Sequence, residues 1–301
     1  MADLALALTT ADATSQTPSF DPAFTDEDAQ IILRSSDNMQ YRMHTVVLRT
    51  TSGFFRDMLA LPRAVGSQVA AQQSESIVLD ETSEVLGKLF RMISGLKYGD
   101  FSFDMFQGIL KAAYKYDMEG TVDTLRRFTT LPDFLSQPLE IYALAAQYGW
   151  EREAKAASKL TLALPIHLKE YETVLETIPS RYLLRLLKLH RERKTAFQRT
   201  AFESVLGGRR AKFFGLEKCD CRAWSSKGRE FEKSGGMWTL AYSMLNSMDR
   251  RVDGGELLEG AWRGWQSNES ICQDCNRTTK DYESRIASWV KGCIASLPST
   301  I

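Results

Sequence analysis

The sequence predicts an α+β protein, in which a small sheet wrapped by helices is followed by an all-α helical extension and a helical C-terminal region. Three observations support this prediction. Two β-type runs flank a Ser-Ser-Asp-Asn turn near the start of the chain. From there to the end, apolar side chains recur mainly at helical spacing. The content of 44% hydrophobic and 25% charged residues is ordinary for a folded globular protein.

The composition changes along the chain and divides it into four segments. Residues 1–26 are rich in Ala, Thr, Ser, Asp and Pro without periodicity, so we expect a disordered N-terminal arm. Residues 27–130 are expected to form the first domain, and residues 131–206 a helical extension. A Gly-Gly pair then marks the joint to a C-terminal region, 207–301, which contains every cysteine and most of the tryptophans.

The first domain opens with two predicted strands and a helix. "AQIILRSSD" and "MQYRMHTVVL" are typical of a β-hairpin. The second run continues into a helix for which Thr50, Thr51 or Ser52 offers the N-cap, and whose apolar side chains are Phe54, Phe55, Met58 and Leu59. After a polar loop, "SIVLD" predicts a third short strand.

Helical spacing predicts most of the remaining chain. In the first domain we expect helices over 81–96, 105–113 and 122–128. Beyond Pro132 we expect further helices over 139–162, two within 170–206, and three in the C-terminal region. No repeat at a fixed period of roughly 20 to 50 residues is found, which disfavours a solenoid or propeller.

Charge and hydropathy exclude several classes of protein. With 38 basic and 38 acidic side chains, the chain has no net field to attract a phosphate backbone. The basic stretches at 183–194 and 207–212 are interpreted as a solvated helix face and a loop. No apolar run reaches the roughly 20 residues that span a bilayer, and the start lacks the basic end of a secretory signal. We therefore expect a cytoplasmic or nuclear protein.

Two pairs of cysteines form the one constellation with metal chemistry. Cys219 and Cys221 in "KCDCRAW", with Cys272 and Cys275 in "SICQDCNRT", could supply four thiolates to a closed, structural zinc site. The first pair is more closely spaced than is usual for zinc. Reduced thiols without a ligand, and redox or disulfide use, therefore stay open as alternatives. Cys293 lies on an apolar helical stripe and is predicted to be buried.

His44 is the histidine with the most suggestive position, just before a helix. A catalytic role would need a nucleophile or second base within hydrogen-bonding reach, and neither His167 nor His190 lies in a partner motif. We expect His44 to be structural, bonded to backbone or to Asp28 at the edge of the core. Searches for a phosphate-binding loop, a Gly-x-Ser-x-Gly motif and a His-Glu-x-x-His motif find none in the sequence.

These elements, in this order, resemble the BTB/POZ family over about 28–130. The residues that carry the resemblance include "YRMHTVVLRTTSGFFRDML", "IVLDETSEVLGKLFRMISG" and "ILKAAYKYDMEGTVDTLRRF". The positions matching the family pattern, and expected to be structural or interface residues, are Asp28, His44, Leu48, Ser52 and Phe55. The helices over 139–162 and the Cys/Trp-containing tail resemble those of fungal BTB proteins.

The resemblance implies a non-enzymatic protein-protein interaction module. It implies homodimerisation through the first strand and first helix, here 29–33 and 47–59. In part of the family a cullin scaffold also docks, which would make this protein a substrate adaptor in ubiquitin transfer, with a surface near Phe90, Tyr114, Tyr116 and Met118. The alternative hypotheses are a transcriptional or chromatin-associated regulator with a zinc-stabilised tail, and an enzyme of unknown type.

Overall fold

The computed structural model describes residues 19–61, 76–206, 235–264 and 283–301. The chain divides into two compact units, Met1–Phe128 and Thr129–Ile301. The described residues are mostly helical, and a four-stranded sheet lies in the first unit. The α+β class is therefore confirmed at this level. The second unit contains the described parts of both the predicted helical extension and the predicted C-terminal region.

Within residues 19–61 and 76–128, the first unit contains a small mixed sheet and five helices. Its strands are β1 Ser19–Phe20, β2 Ile31–Arg34, β3 Met39–Met43 and β4 Ile77–Val78. Its helices are α1 Thr45–Thr51, α2 Gly53–Ala60, α3 Ser83–Ile93, α4 Phe103–Lys115 and α5 Glu119–Phe128. The sheet order is β1-β3-β2-β4, with β2 antiparallel to β3 and the two outer strands parallel to their neighbours.

Order begins earlier than the sequence predicts. Strand β1 pairs with β3, although its two residues fall inside the predicted disordered arm over 1–26. Asp21 then accepts a 2.7 Å ion-paired hydrogen bond from Arg91, and Phe24 is buried against the rings of Tyr41 and Phe90. These contacts join residues far apart in sequence, so local composition does not reveal them. The arm prediction is corrected from Ser19 onward; residues 1–18 lie outside the described residues.

The second predicted strand is shorter than expected, because a helix begins inside it. Strand β3 ends at Met43, His44 is extended at the N-cap, and α1 begins at Thr45. The Thr45 amide donates to the side-chain oxygen of Gln30 at 3.0 Å, which satisfies an amide that the first turn cannot. This tertiary contact outweighs the β preference of the Val-Val pair that follows.

Asp37, in the turn between β2 and β3, fixes the start of α3. The backbone amide and hydroxyl of Ser83 donate to its two carboxylate oxygens at 2.9 and 2.6 Å. Partial burial opposes ionisation of this carboxylate, but hydrogen bonds from Ser35 and Ser83 outweigh it and hold the pKa of Asp37 below its usual value. An acceptor from the hairpin thus satisfies a helix N-terminus that lacks a side-chain cap of its own.

The second unit is helical in its described residues. Its longer helices are α7 Pro138–Gln147, α8 Glu151–Thr161, α10 Ser180–Leu206, α11 Gly235–Arg250 and α13 Glu283–Ser296. The short helices are α6 Pro132–Leu135, α9 Glu172–Thr177 and α12 Gly255–Glu259, with 3-10 turns at Lys169–Tyr171 and Ala261–Gly264. One buried face of α10 packs against α11 and α13, so a single apolar core joins segments from both sides of residue 206.

Arg193 lies inside this core and binds backbone carbonyls rather than a carboxylate. Its guanidinium donates to the oxygens of Val252, Asp253 and Pro298 at 2.5, 3.0 and 2.7 Å. Burial lowers the pKa of Arg193, and the nearby Asp253 charge opposes that shift. The side chain therefore connects α10 to the segment between α11 and α12 and to the residues that follow α13. On the preceding turn, buried His190 lies 3.2 Å from the hydroxyl of Thr161.

Candidate interaction surface

Ser52 joins α1 to α2 and anchors both to a distant turn. Its hydroxyl accepts the Phe55 amide at 3.0 Å as the N-cap of α2, and donates to the carbonyl of Tyr116 at 2.5 Å. The next amide, from Gly53, donates to the carbonyl of Asp117 at 2.9 Å. Of the three predicted N-cap candidates, Ser52 is the one that takes this role. The start of α2 is thereby held against the turn between α4 and α5.

Gly53 allows this close approach. A Cβ atom at this position would lie 1.7 Å from the Oδ2 atom of Asp117, so any side chain here would displace the Asp117 carboxylate. Asp117 itself has a positive φ of 51°, a conformation that costs energy for a residue other than glycine. The junction is thus fixed by backbone bonds, a buried hydroxyl and the absence of a side chain.

Leu48 and Phe55, two of the predicted structural or interface residues, are core residues. Both are fully buried, and the ring of Phe55 stacks on that of Tyr116 with centroids 5.3 Å apart. With Ser52, they fix the positions of α1 and α2 from the inside. None of the three can contact a partner directly, so any interface must use other side chains of these helices.

Three large apolar side chains of this segment remain exposed. The exposed fractions are 65% for Val46, 44% for Phe54 and 69% for Leu61. Phe54 and Met58 are four residues apart and share one side of α2, and Leu61 follows as the extended C-cap residue directly after this helix. Phe54 also contacts the buried rings of Phe55 and Tyr116, which hold its exposed edge in place. We call Val46, Phe54, Met58 and Leu61 the α1–α2 surface.

His44 bonds Asp26, not the predicted Asp28. Its Nε2 atom lies 2.8 Å from Asp26 Oδ2, and both side chains are substantially exposed. Asp28 contributes through its backbone, since its amide donates to Asp26 Oδ1 at 3.0 Å. This backbone bond, followed by the bond with His44, lowers the pKa of Asp26. The pair therefore links the segment before β2 to the start of α1 at the protein surface.

The sheet limits how a second chain could pair with this unit. Strand β2 pairs with β3 along its whole length, and β4 pairs with its other side at Leu33 and Arg34. Ile31 and Leu33 are buried. Strand pairing of a second chain with 29–33 would therefore have to avoid the positions that β4 occupies. Helices α1 and α2 retain exposed side chains that a second chain could reach.

The four residues predicted near a cullin-binding surface differ in exposure. Phe90, Tyr116 and Met118 are buried, whereas Tyr114 is exposed near the end of α4. Burial and the neighbouring Glu81 carboxylate raise the pKa of the Tyr116 hydroxyl well above its usual value. Sequence periodicity places Phe90 on α3 and the other three residues on α4 and the following turn, but it does not separate the exposed aromatic ring from the buried ones.

A cleft of about 540 Å³ lies beside the α1–α2 junction. Its lining includes Arg56 of α2, Tyr98, and the acidic side chains of Asp117 and Glu119. Charges of both signs therefore border this cleft, and its lining includes none of the four side chains of the α1–α2 surface.

The predicted zinc ligands cannot be placed. Cys219, Cys221, Cys272 and Cys275 lie outside the described residues. Within 19–61, 76–206, 235–264 and 283–301, no group of three or more His, Cys, Asp or Glu side chains could hold a metal. Cys293 is buried on α13, and burial raises the pKa of its thiol to about 11.

Sequence reasoning missed Val46 and Asp26 as surface residues. The sequence predicts a strand at Val46 and a disordered arm that includes Asp26. A signal for the former exists: helical spacing from Thr45 places Leu48 on the inner side and Val46 on the outer. Asp26 has no local signal, because its partner His44 is 18 residues away.

Comparison with known proteins does not assign the chain to a family. In the described parts of the chain, no helix is both long and apolar enough to cross a membrane. No protein-family model matches the sequence, and no curated protein matches it either.

Proposed function

We propose that the first unit is a protein-interaction module of the BTB/POZ type, which forms a homodimer through the α1–α2 surface. The observation that carries the proposal is the exposure of Val46 on α1, of Phe54 on α2 and of Leu61 directly after α2, because buried Ser52 and Phe55 fix the positions of both helices. Large apolar groups held rigidly at a surface lose little conformational entropy on binding.

A second copy is the partner that this surface fits best. A two-fold interface brings the same patch of both chains together, so the patch must be complementary to itself. Apolar side chains can pack against the same side chains of a second copy without electrostatic repulsion. The adjacent and exposed residues Arg56 and Asp57 form an ion pair within one chain at 3.3 Å, and in a dimer each could instead face the opposite charge of the other chain.

The test is the mass of the purified chain in solution by light scattering. We expect about 68 kDa for the wild type, twice the 34.0 kDa of one chain. The variant Val46→Glu, alone and combined with Leu61→Gln, is expected to shift the mass to that of one chain. A glutamate in the first turn of α1 favours the helix dipole, so the variant should fold.

Val78→Glu is the matched control, because Val78 is an exposed apolar residue of the same unit on β4 rather than on α1 or α2. It should leave the mass unchanged. A wild-type monomer would overturn the dimer. A dimer that survives the double substitution, or that Val78→Glu also breaks, would remove the interface from the α1–α2 surface. Circular dichroism spectra of all variants establish that each is folded.

The finer proposal is that the module is a substrate adaptor that binds a cullin scaffold. It is supported by the resemblance and by the exposed ring of Tyr114 near the end of α4. A purified cullin N-terminal domain should co-elute with the wild-type chain and be lost with Tyr114→Ala. Failure of the wild type to co-elute would remove the adaptor role while leaving dimerisation intact.

The alternative proposal, a transcriptional or chromatin-associated regulator, depends on the four paired cysteines. Metal analysis of the light-scattering peak tests it. About one zinc per chain, lost together in a Cys272→Ser and Cys275→Ser variant, would support a structural site. A metal-free peak, together with failure to retain labelled DNA at low salt, would remove the alternative.

A further inference from the structure

Helix α10 has an exposed side with an unusual composition. Leu184 and Leu187 are 67% and 43% exposed, and Phe202 lies in line with Leu184 five turns later. Exposed cations lie between and beside them. We call this side the α10 strip; its members are Arg181, Leu184, Leu187, Lys188, Arg191, Arg199 and Phe202.

The strip is opposite the side of α10 that forms the core. Leu186, Leu189, Phe197 and Ala201 are buried, and they alternate with the strip residues at helical spacing. The helix therefore already buries one complete apolar face. Leu184 and Leu187 are additional to it, and packing within the described part of the unit does not account for them.

The strip carries more positive than negative charge, although the exposed carboxylates of Glu192 and Glu203 lie beside it. Lys188 lies 3.7 Å from Glu192, and Arg185, at the margin, is paired with Glu151 at 2.9 Å. By contrast, Arg181, Arg191 and Arg199 form no ion pair with any carboxylate among the described residues. In a chain with a net charge of zero, this concentrates unpaired positive charge along one side of a helix.

The strip has the length of a helical partner. Leu184 and Phe202 are 18 residues apart, which at about 1.5 Å per residue gives a line of about 27 Å. Apolar groups at its two ends with cations between them match a second helix that carries apolar anchors near its two ends and acidic side chains between them.

We propose that the α10 strip is a docking surface for an acidic amphipathic helix of a partner protein. The leucines and Phe202 would cover the apolar face of that helix, and Arg181, Arg191 and Arg199 would pair with its carboxylates. This surface belongs to the second unit, and the proposal does not rest on dimerisation through the first. A module with both surfaces would recruit one partner for each chain of a dimer.

The exposed leucines favour a peptide over nucleic acid. Phosphates would satisfy the cations, but Leu184 and Leu187 would then face a charged backbone, and aromatic residues do not alternate with the cations as a base-stacking platform requires. An anionic membrane surface could take both kinds of side chain. The experiment must therefore distinguish binding of an acidic helix from binding of an anionic membrane surface.

The probe is a synthetic helical peptide of about five turns, with leucines on one face and glutamates beside them. Its fluorescence anisotropy is measured with the full chain. We expect saturable binding that weakens as salt is added. The charge reversal Arg191→Glu with Arg199→Glu should weaken binding at least about tenfold, because attraction becomes repulsion at two contacts. Leu184→Ser should weaken it at constant charge.

Lys291→Glu is the matched control, since Lys291 is an exposed cation on α13 and not on α10. It should bind the peptide as the wild type does. The proposal is overturned if the wild type does not bind, if a scrambled peptide of the same composition binds equally, or if the control loses as much affinity as the strip variant. Binding of phosphatidylserine vesicles or duplex DNA, but not of the peptide, would overturn it in favour of those ligands.

Discussion

In each unit a buried polar side chain holds segments that are far apart in sequence, but Ser52 in the first and Arg193 in the second differ in kind. In the first unit the neutral hydroxyl of Ser52 bonds the Phe55 amide and the Tyr116 carbonyl. In the second, the charged guanidinium of Arg193 bonds carbonyls from two remote segments. A hydroxyl costs little to bury, whereas a guanidinium needs many acceptors to offset the loss of water. The comparison teaches that the second unit depends more heavily on its anchor.

The largest expected effect is loss of the Arg193 anchor. Arg193→Met keeps most of the buried volume but leaves the carbonyls of Val252, Asp253 and Pro298 without donors. We expect the free energy of unfolding to fall by about 4 kcal/mol, measured by urea denaturation. Arg199→Met, an exposed cation on the same helix, is the control and should change it by less than about 0.5 kcal/mol. Equal effects would show that Arg193 is not an anchor.

The next effect is a pH dependence at His190. Burial, and then the charges of Arg193 and His167, lower the pKa of His190 from 6.5 to about 4. The folded chain therefore keeps this imidazole neutral, while the unfolded chain protonates it below about pH 6.5. Stability is complete above that pH and falls as the pH drops toward 4. The full loss is about 3 kcal/mol.

The His190→Gln variant isolates this contribution, because other groups also titrate in acid. The difference in free energy of unfolding between wild type and variant should change with pH between about 6.5 and 4 and be constant above it. A difference that does not vary with pH would mean that the folded chain can protonate His190, which would contradict its burial in the second unit.

Loss of the Ser52 anchor should have a smaller effect. Ser52→Ala removes the N-cap of α2 and leaves the Tyr116 carbonyl without its hydroxyl donor. We expect a loss of about 2 kcal/mol in urea denaturation. Thr50→Ala removes a hydroxyl that bonds carbonyls within its own helix, and should cost less than about 0.5 kcal/mol. A loss from Ser52→Ala as large as that from Arg193→Met would reverse the comparison between the units.

The smallest effect is expected at His44. Its bond to Asp26 lies at the surface, where water and salt screen the pair. His44→Ala should leave the melting temperature without a resolvable change, and so should Asp26→Asn. If either variant melted at a temperature as low as that of Ser52→Ala, the pair of His44 and Asp26 would stabilise the first unit as much as the Ser52 hydroxyl does.

The sequence predicts most helices, because their apolar stripes repeat over several turns. It also limits the N-cap of α2 to three neighbouring hydroxyl residues. The hydrogen bond to the carbonyl of Tyr116, which the sequence does not reveal, distinguishes Ser52 from the other two. The sequence does not predict β1, since a two-residue strand has no periodicity and depends on Met39 and Gln40, some 20 residues away. The sequence also does not predict α1, because Val46 and Val47 favour a strand.

The anchors show the same limit. Ser52 is visible as a cap candidate, but its bond to a distant carbonyl is not. Arg193 stands among other cations in "HRERK", so composition suggests a solvated face. A helical wheel gives the missing signal, because Leu189 and Phe197, four residues on either side, are buried on the same face. Charge patterns therefore need to be compared with the apolar stripe before a cation is assigned to solvent.

The parallel pairing of β1 with β3 has a consequence for shortened forms of the chain. A form that starts at residue 27 would lack β1, Asp21 and Phe24. The outer side of β3 would then present unbonded amides and carbonyls from Met39 onward, beside an aromatic pocket open to water. Such an edge is a template for intermolecular β-pairing. Aggregates of that form would mimic self-association, so oligomerisation is best measured on chains that retain Ser19.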